Sequence, residues 1–258
     1  TMDVLATLRR YGIRPSKGLG QNFLVAEWAY ERILQASEVG PSDIVLEVGP
    51  GLGTLTRRLA ERAGHVVAVE LDRKMIPLLA EALAGCPNAH VVQEDILEMD
   101  PVALLCEHTG TSEACLRYQV VANLPYYITS QAQMSLLAVS VQVFGAPRLV
   151  CRVPPSAFVP PPKVSSAVLQ IEVFPDPLAP AERLERFFAI VRAGFGQKRK
   201  QLHNSLVAGL GLAPEQVASA LQAAEIAPQR RPQSLSLADW SRLAEALEEN
   251  TAAISQEG

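Results

Sequence analysis

The residues with the clearest chemical meaning sit at the ends of three successive apolar runs. Glu47-Val-Gly49-Pro-Gly51-Leu-Gly53 follows the run Ile44–Val48 and precedes a helical stretch. Glycines at this spacing let the chain turn tightly and let a ligand approach where a Cβ would stand in the way. The pattern is G-x-G-x-G, not the G-x-G-x-x-G that cradles a dinucleotide pyrophosphate, which favours a cofactor without one. By itself the motif serves a plain strand-to-helix turn equally well. Glu70 ends the next run, 19 positions after Gly51, where a carboxylate can accept both hydroxyls of a ribose. Asp95, in Gln93-Glu-Asp-Ile-Leu97, ends a third run; it can accept from an adenine amino group while Ile96 packs on the ring. Singly, each acid reads as a solvated loop carboxylate or a helix cap. At three successive strand ends they point together to an adenosine-bearing cofactor.

A fourth run leads into Asn123-Leu124-Pro125-Tyr126-Tyr127. An amine on an aromatic ring is a poor nucleophile because its lone pair is delocalised. A side-chain amide and backbone carbonyls gripping its hydrogens localise that pair and aim it at an electrophilic methyl group, so positioning supplies much of the rate. Tyr126 can stack on a base, as aromatic platforms do with unpaired nucleotides. Phe158-Val-Pro-Pro-Pro-Lys163 is a second stiff loop, with Phe158 as an opposing ring and Lys163 within reach of a phosphate. Without its context each motif is as well explained by a proline turn or a rigid connector.

Such residues need a scaffold that brings strand ends together. Ile44–Val48, Val66–Glu70, Ala89–Gln93 and Gln119–Ala122 read as buried strands, with helices over Thr54–Arg62 and Arg73–Ala84 between them. This alternation predicts an α/β fold: a Rossmann-like parallel sheet covered by helices. Pro147–Val153 and Ser165–Val173 read as later strands closing the sheet. Prolines at 175, 177 and 180 mark a linker, after which Arg183–Ala193, Lys198–Ala208, Pro214–Ala224 and Leu237–Leu247 read as helices, the last capped by Ser236. The expected division is a catalytic domain over residues 1–177 and a helical domain over 178–258.

Composition bounds the possibilities. The chain has 258 residues, 48% of them hydrophobic, which is enough for a full core. Four cysteines without a CxxC pair read as reduced thiols in a cytoplasmic protein rather than disulfides or zinc ligands. Residues 1–10 lack the apolar core of a signal peptide, and no apolar stretch is long enough to span a bilayer. The net charge of −4 requires any nucleic-acid surface to be local.

Taken together, the motifs resemble those of the small-subunit ribosomal RNA adenine dimethyltransferases. The likeness runs from Lys17-Gly-Leu-Gly-Gln-Asn-Phe-Leu24 through the glycine loop, Glu70, Asp95, Asn123–Tyr126 and Phe158–Lys163. It continues into Phe195-Gly-Gln-Lys-Arg-Lys-Gln-Leu-His-Asn-Ser-Leu206 and Arg231-Pro-Gln-Ser-Leu-Ser236. The resemblance implies S-adenosylmethionine as cofactor, contacted by Gln21, Asn22, Leu24, Gly49, Gly51, Glu70, Leu71, Asp95, Ile96 and Asn123. It implies a target-base site of Asn123, Leu124, Pro125, Tyr126 and Phe158, and no metal. It further implies that the helical domain grips ribosomal RNA in the immature small subunit. Arg192, Lys198, Arg199, Lys200, Arg230 and Arg231 form the expected basic patch there, with Lys163 on the catalytic side. A monomer is expected.

The family carries a helix, a strand and a basic loop after the Asn-Leu-Pro-Tyr-Tyr-Ile-Thr-Ser motif. Here Ser130 leads almost at once into the helix Ser135–Val143. We read this as a segment left out of the sequence, because a lost interior strand would leave flanking apolar faces unpaired. Alternatives are the related large-subunit dimethyltransferases, whose motif usually has Ile where Leu124 stands, and a ribosome-assembly or transcription-factor-like binding protein. A nicotinamide-dependent oxidoreductase is disfavoured by the glycine spacing.

Overall fold

The computed structural model describes residues 4–15, 21–122, 135–178, 181–197 and 200–254. In chain order the elements begin with α1 (Val4–Arg10), the two-residue strand β1 (Phe23–Leu24) and α2 (Glu27–Ser37). Four strands then alternate with helices: β2 (Ile44–Val48), α3 (Thr54–Ala60), β3 (His65–Glu70), α4 (Ile76–Ala82), β4 (Ala89–Gln93), α5 (Pro101–Thr109) and β5 (Tyr118–Ala122). The strands form one parallel sheet in the order β4-β3-β2-β5. Ile44 lies level with His65 and Tyr118, and Val48 with Val69 and Ala122.

Why these runs become parallel strands follows from where their side chains go. Alternate residues point to opposite faces. Val45 and Val66 pack with Tyr30, Leu34, Leu55 and Leu59 on the α2–α3 side. Ile44, Leu46, Val67 and Val69 pack with Leu105 and Leu116 on the α5 side. Both faces are covered, so unbroken apolar runs are needed instead of an alternating pattern. Each fully buried Leu or Val contributes about 1.5–3 kcal/mol relative to exposure. At the opposite end of the sheet from the glycine loop, His65, His90 and His108 stack in a row, with ring centroids 6.4 and 5.4 Å apart.

β5 is an edge strand among the described residues, and Tyr118 and Val120 on it are 39% and 58% exposed. That is the unpaired apolar surface expected where a neighbouring strand is absent. The later strands β6 (Gly145–Val153) and β8 (Ser166–Val173) hydrogen-bond to each other as a separate two-stranded sheet, and β7 (Phe158–Val159) pairs with β1. The described residues therefore hold a four-stranded sheet and two small ladders, so the later strands do not close the parallel sheet as expected. Only thirteen residues, 123–135, separate β5 from α6 (Leu136–Phe144), too few to supply both an intervening helix and a further strand before α6.

The helical region comprises α6 with α7 (Ala181–Phe195), α8 (Leu202–Leu210), α9 (Pro214–Ala223) and α10 (Leu237–Ile254). Trp240, fully buried, anchors its core, which also holds Val139, Val143, Phe187, Leu206 and Leu221. The helices approach closely at glycines: a Cβ on Gly194 would stand 2.4 Å from the Trp240 ring, and one on Gly209 would stand 2.6 Å from Ala193 Cβ. Ser236 caps α10 reciprocally, since its hydroxyl accepts from Asp239 N at 3.1 Å and its own N–H donates to the Asp239 carboxylate at 2.9 Å. α8 begins at Leu202, four residues beyond the expected Lys198, because Gln201 is extended.

Two compact units emerge: residues 1–126 with 149–170, and 127–148 with 171–258. A single cut at 177/178 does not describe this division. α6 lies before the expected boundary, yet Val139 and Val143 are buried in the helical core.

Candidate functional site

The site is built on a loop that only glycine allows. Gly49, Gly51 and Gly53 have φ of 72°, 56° and 73°, left-handed values that a side chain would strain. Gly49 N–H donates to Val69 O at 3.0 Å, and Gly53 N–H to Pro50 O at 3.0 Å, folding the loop across the ends of β2 and β3. A Cβ on Gly51 would meet the Phe23 ring at 3.3 Å, whereas one on Gly49 would meet nothing within 4 Å. The loop is thus packed on the Gly51 side and open beside Gly49, as a ligand cradle requires.

Glu70 is buried beside this loop. One carboxylate oxygen accepts from Asp72 N at 2.8 Å. Burial pushes its pKa above the usual carboxylate range, while backbone N–H donors of Asp72, Gly51 and Leu71 oppose the rise. A pre-oriented carboxylate with remaining acceptor capacity suits two vicinal hydroxyls. Gln21 Nε2 donates to Asp72 Oδ2 at 2.9 Å, tying the segment before β1 to the loop after Glu70. Leu71 is exposed next to it. Asp95 is half-buried and accepts from Leu97 N at 3.0 Å, an Asx turn that fixes its carboxylate. Ile96 packs against the core below, and Leu97 stands 89% exposed.

β1 links this region to the proline loop. Leu24 lies opposite Phe158 and Phe23 opposite Val159 in an antiparallel ladder, extended by Val25 N–H donating to Ala157 O at 2.8 Å. Phe158 is only 3% exposed and packs with Ala29, Val153, Ala157, Leu24 and Val168. Its ring is a core residue beneath β1 in this conformation, not an open stacking face. Lys163 is exposed. Asn123, Leu124, Pro125 and Tyr126 lie outside the described residues, as does Lys17–Gly20; Ala122, just before Asn123, is level with Val48 at the mouth of the glycine loop.

In the sequence, Glu47 has no role beyond opening the glycine motif. It is 2% exposed, and its Oε2 has no hydrogen-bond partner among the described residues. Burial pushes its pKa up to about 7; the neighbouring Thr56 hydroxyl pulls it down and the Glu70 charge raises it further. Its signal was a charged residue inside an otherwise unbroken apolar run. The orphaned carboxylate, the open side of Gly49 and the clamped Glu70 fit an adenosine cofactor with a cationic tail.

In the helical unit Arg192, Lys200 and Arg231 are exposed. Arg230 is instead bound to Asp239 at 3.2 Å, with its Nε on Ser234 Oγ at 3.3 Å. Burial works to raise the Asp239 pKa, but its hydrogen bonds from Ser236, followed by the charges of Arg230 and Arg242, together hold it below the usual range. Lys198 and Arg199 lie outside the described residues. Among the described residues no group of three His, Cys, Asp or Glu suits a metal ion, and no helix is long and apolar enough to cross a membrane.

The sequence model of the family described as "Ribosomal RNA adenine dimethylase" matches residues 14–143 and 130–249. A protein of Dehalococcoides mccartyi named "Ribosomal RNA small subunit methyltransferase A" is 38% identical over 271 residues, covering 93% of this chain and 91% of its own. One of the same name from Pelotomaculum thermopropionicum is 38% identical over 275 residues, covering 93% of each chain. Among solved structures, the 23S rRNA methyltransferase ErmE is similar at a TM-score of 0.59 and 28% identity, over 88% of this chain and 100% of that one. A dimethyladenosine transferase from Plasmodium falciparum, 21% identical over 89% of this chain and 98% of its own, shares the fold at a TM-score of 0.57. The first alignment spans 271 positions, while 93% of 258 residues is about 240, so about thirty positions face no residue here. The two stretches matched by the family model overlap at 130–143, where the sequence departs from the family pattern.

Proposed function

Because the chain belongs to the ribosomal RNA adenine dimethylase family, we propose that it methylates N6 of two adjacent adenosines near the 3′ end of small-subunit ribosomal RNA, twice each, to give N6,N6-dimethyladenosine. The methyl donor is S-adenosylmethionine, whose sulfonium supplies an electrophilic methyl group. The observation that carries the reading is the buried, backbone-clamped Glu70 beside the left-handed glycine loop at the end of a parallel sheet. Open α/β sheets bind their ligands at that edge.

Each residue then has a task. Glu70 accepts the ribose hydroxyls and Asp95 the adenine amine, with Leu71 and Ile96 flanking the ring. Gln21, Asn22 and Leu24 close over the cofactor. The Asn123 side chain and the carbonyls of the Leu124-Pro125 turn accept from the target amine, and Tyr126 stacks on its base. Phe158 positions this site from beneath, through its ladder to Leu24. Arg192, Lys198, Arg199, Lys200, Arg231 and Lys163 meet phosphates, which need only a local patch in an acidic protein. The enzyme works as a monomer on immature small subunits, in the cytoplasm.

The fold similarity to ErmE favours one rival, a large-subunit substrate. Both readings are tested by supplying unmethylated small and large subunits with S-adenosylmethionine, then analysing nucleosides by mass spectrometry and mapping them. Dimethyladenosine confined to small-subunit RNA is the expected result; modification of large-subunit RNA alone would replace the reading.

A further inference from the structure

Glu47 and Glu70 are the two carboxylates buried among the described residues. They belong to adjacent strands, with Glu47 level with Ala68, two residues before Glu70. Side chains alternate, so Glu47 shares the α2–α3 face with Val45, and Glu70 shares it with Val66. Among the described residues no lysine or arginine forms an ion pair with either acid. Arg58 on α3 lies over the Tyr30 ring at 4.9 Å and is bound to Glu27 and to Glu31, the latter at 3.4 Å. Among the described residues the groups acting on Glu47 are Glu70 from β3, Thr56 from α3 and Tyr30 from α2, none of them a cation. Two like charges without a counter-ion in a dry site are resolved by a proton on one of them or by a bound cation.

Resting on the proposed cofactor, this geometry yields a residue role that the family likeness did not assign. S-adenosylmethionine carries a sulfonium and an ammonium against one carboxylate, a net positive charge, whereas S-adenosylhomocysteine is neutral overall. We propose that Glu47 is a charge-matching residue: it holds a proton in the free protein and releases it to solvent when the cationic methyl donor binds, so that the donor is favoured over the demethylated product. The Glu47 O–H bond breaks, the electron pair stays on the carboxylate, and the proton goes to buffer. The upward shift to about 7 places this exchange in the neutral range.

The test is calorimetric titration of the full chain with S-adenosylmethionine and with S-adenosylhomocysteine, in buffers of different ionisation enthalpy. Glu47→Gln, a neutral isostere of the protonated acid, is titrated in parallel. At pH 7 the wild type is expected to release about half a proton more than Glu47→Gln on binding the donor, with a clearly smaller difference for the product. Its preference for the donor weakens about tenfold from pH 8 to pH 6, and Glu47→Gln shows no such dependence. Equal proton release by both proteins, or equal dependence of both ligands on pH, overturns the proposal. Should the variant fail to fold, a wild type that binds the donor without proton release still refutes it. A chain that binds neither ligand refutes the cofactor reading instead.

Discussion

Replacing Phe158 separates two tasks that a ring in this loop can perform. The side chain is 3% exposed, and its backbone pairs with Leu24. Phe158→Ala removes a ring from a closed core cluster, which costs about 3–5 kcal/mol, a large share of the 5–15 kcal/mol typical of a whole domain. The loss also frees β1, so the affinity for S-adenosylmethionine falls together with stability. Phe158→Leu keeps much of the apolar volume and costs under about 1.5 kcal/mol. A stacking platform would behave otherwise: losing a base–aromatic contact worth about 1–3 kcal/mol lowers methyl transfer roughly five- to 150-fold, whatever the stability. Urea unfolding followed by circular dichroism gives the first quantity, and single-turnover methylation of unmethylated small subunits gives the second. The positioning role predicts a strongly destabilised alanine variant and a leucine variant within about threefold of wild-type turnover. A leucine variant that folds normally but loses more than tenfold activity would refute it, as would an alanine variant with an unchanged midpoint.

Gly194→Ala sets about 1 kcal/mol of improved helix propensity against a Cβ 2.4 Å from Trp240; overpacking at about 1–3 kcal/mol wins, and urea unfolding should show a net loss. His90 is held below its ordinary pKa by burial and then by His108 and His65, so the unfolded chain takes up the proton first as pH drops. Stability is therefore complete above about pH 6.5 and lost as pH falls through that value toward the folded pKa; melting temperatures between pH 7.5 and 5.5 should show this decline, flattened in His90→Gln. Alanine at Arg192, Lys200 or Arg231 should each reduce the log–log salt slope of RNA binding by about 1, measured by filter binding at several salt concentrations. Arg230→Ala should leave that slope nearly unchanged and lower the stability of the helical unit by about 1 kcal/mol, through the lost pairing with Asp239.

Much of this was legible wherever periodicity and burial coincide. Ile44–Val48 and Ala89–Gln93 are strands with the bounds their apolar runs suggest, and Ser236 caps the last helix as its place before Leu237 suggests. Local patterns fail where partners are distant. Two residues, Phe23 and Leu24, have no period of their own, and only the long-range ladder to Phe158 makes them a strand. α2 was passed over although Ala29, Tyr30, Ile33 and Leu34 form an apolar stripe, because its Ala26 N-cap gives no side-chain signal. The proline loop and the resemblance point to Phe158 as a ligand, and the basic patch to Arg230; their engagement in a core and in an ion pair depends on neighbours outside those motifs. Sequence marked Glu70 through its distance from the glycines. Glu47 carries one local mark, a charge inside an apolar run, but its significance lies in the lack of a counter-ion around it among the described residues.

The division of the chain has a consequence for its synthesis. α6 leaves the ribosome before β6, β7 and β8, yet Val139 and Val143 are buried in a core whose other buried members run from Phe187 to Leu247. At about 5–20 residues per second, this apolar stripe waits several seconds for its partners while the strands that complete the first unit are still emerging. An N-terminal fragment ending at 177 would leave the stripe permanently uncovered, and a C-terminal fragment beginning at 178 would lack it. Neither half is a self-sufficient reagent, and a nascent chain stalled between Arg148 and Phe187 is the form most in need of a chaperone.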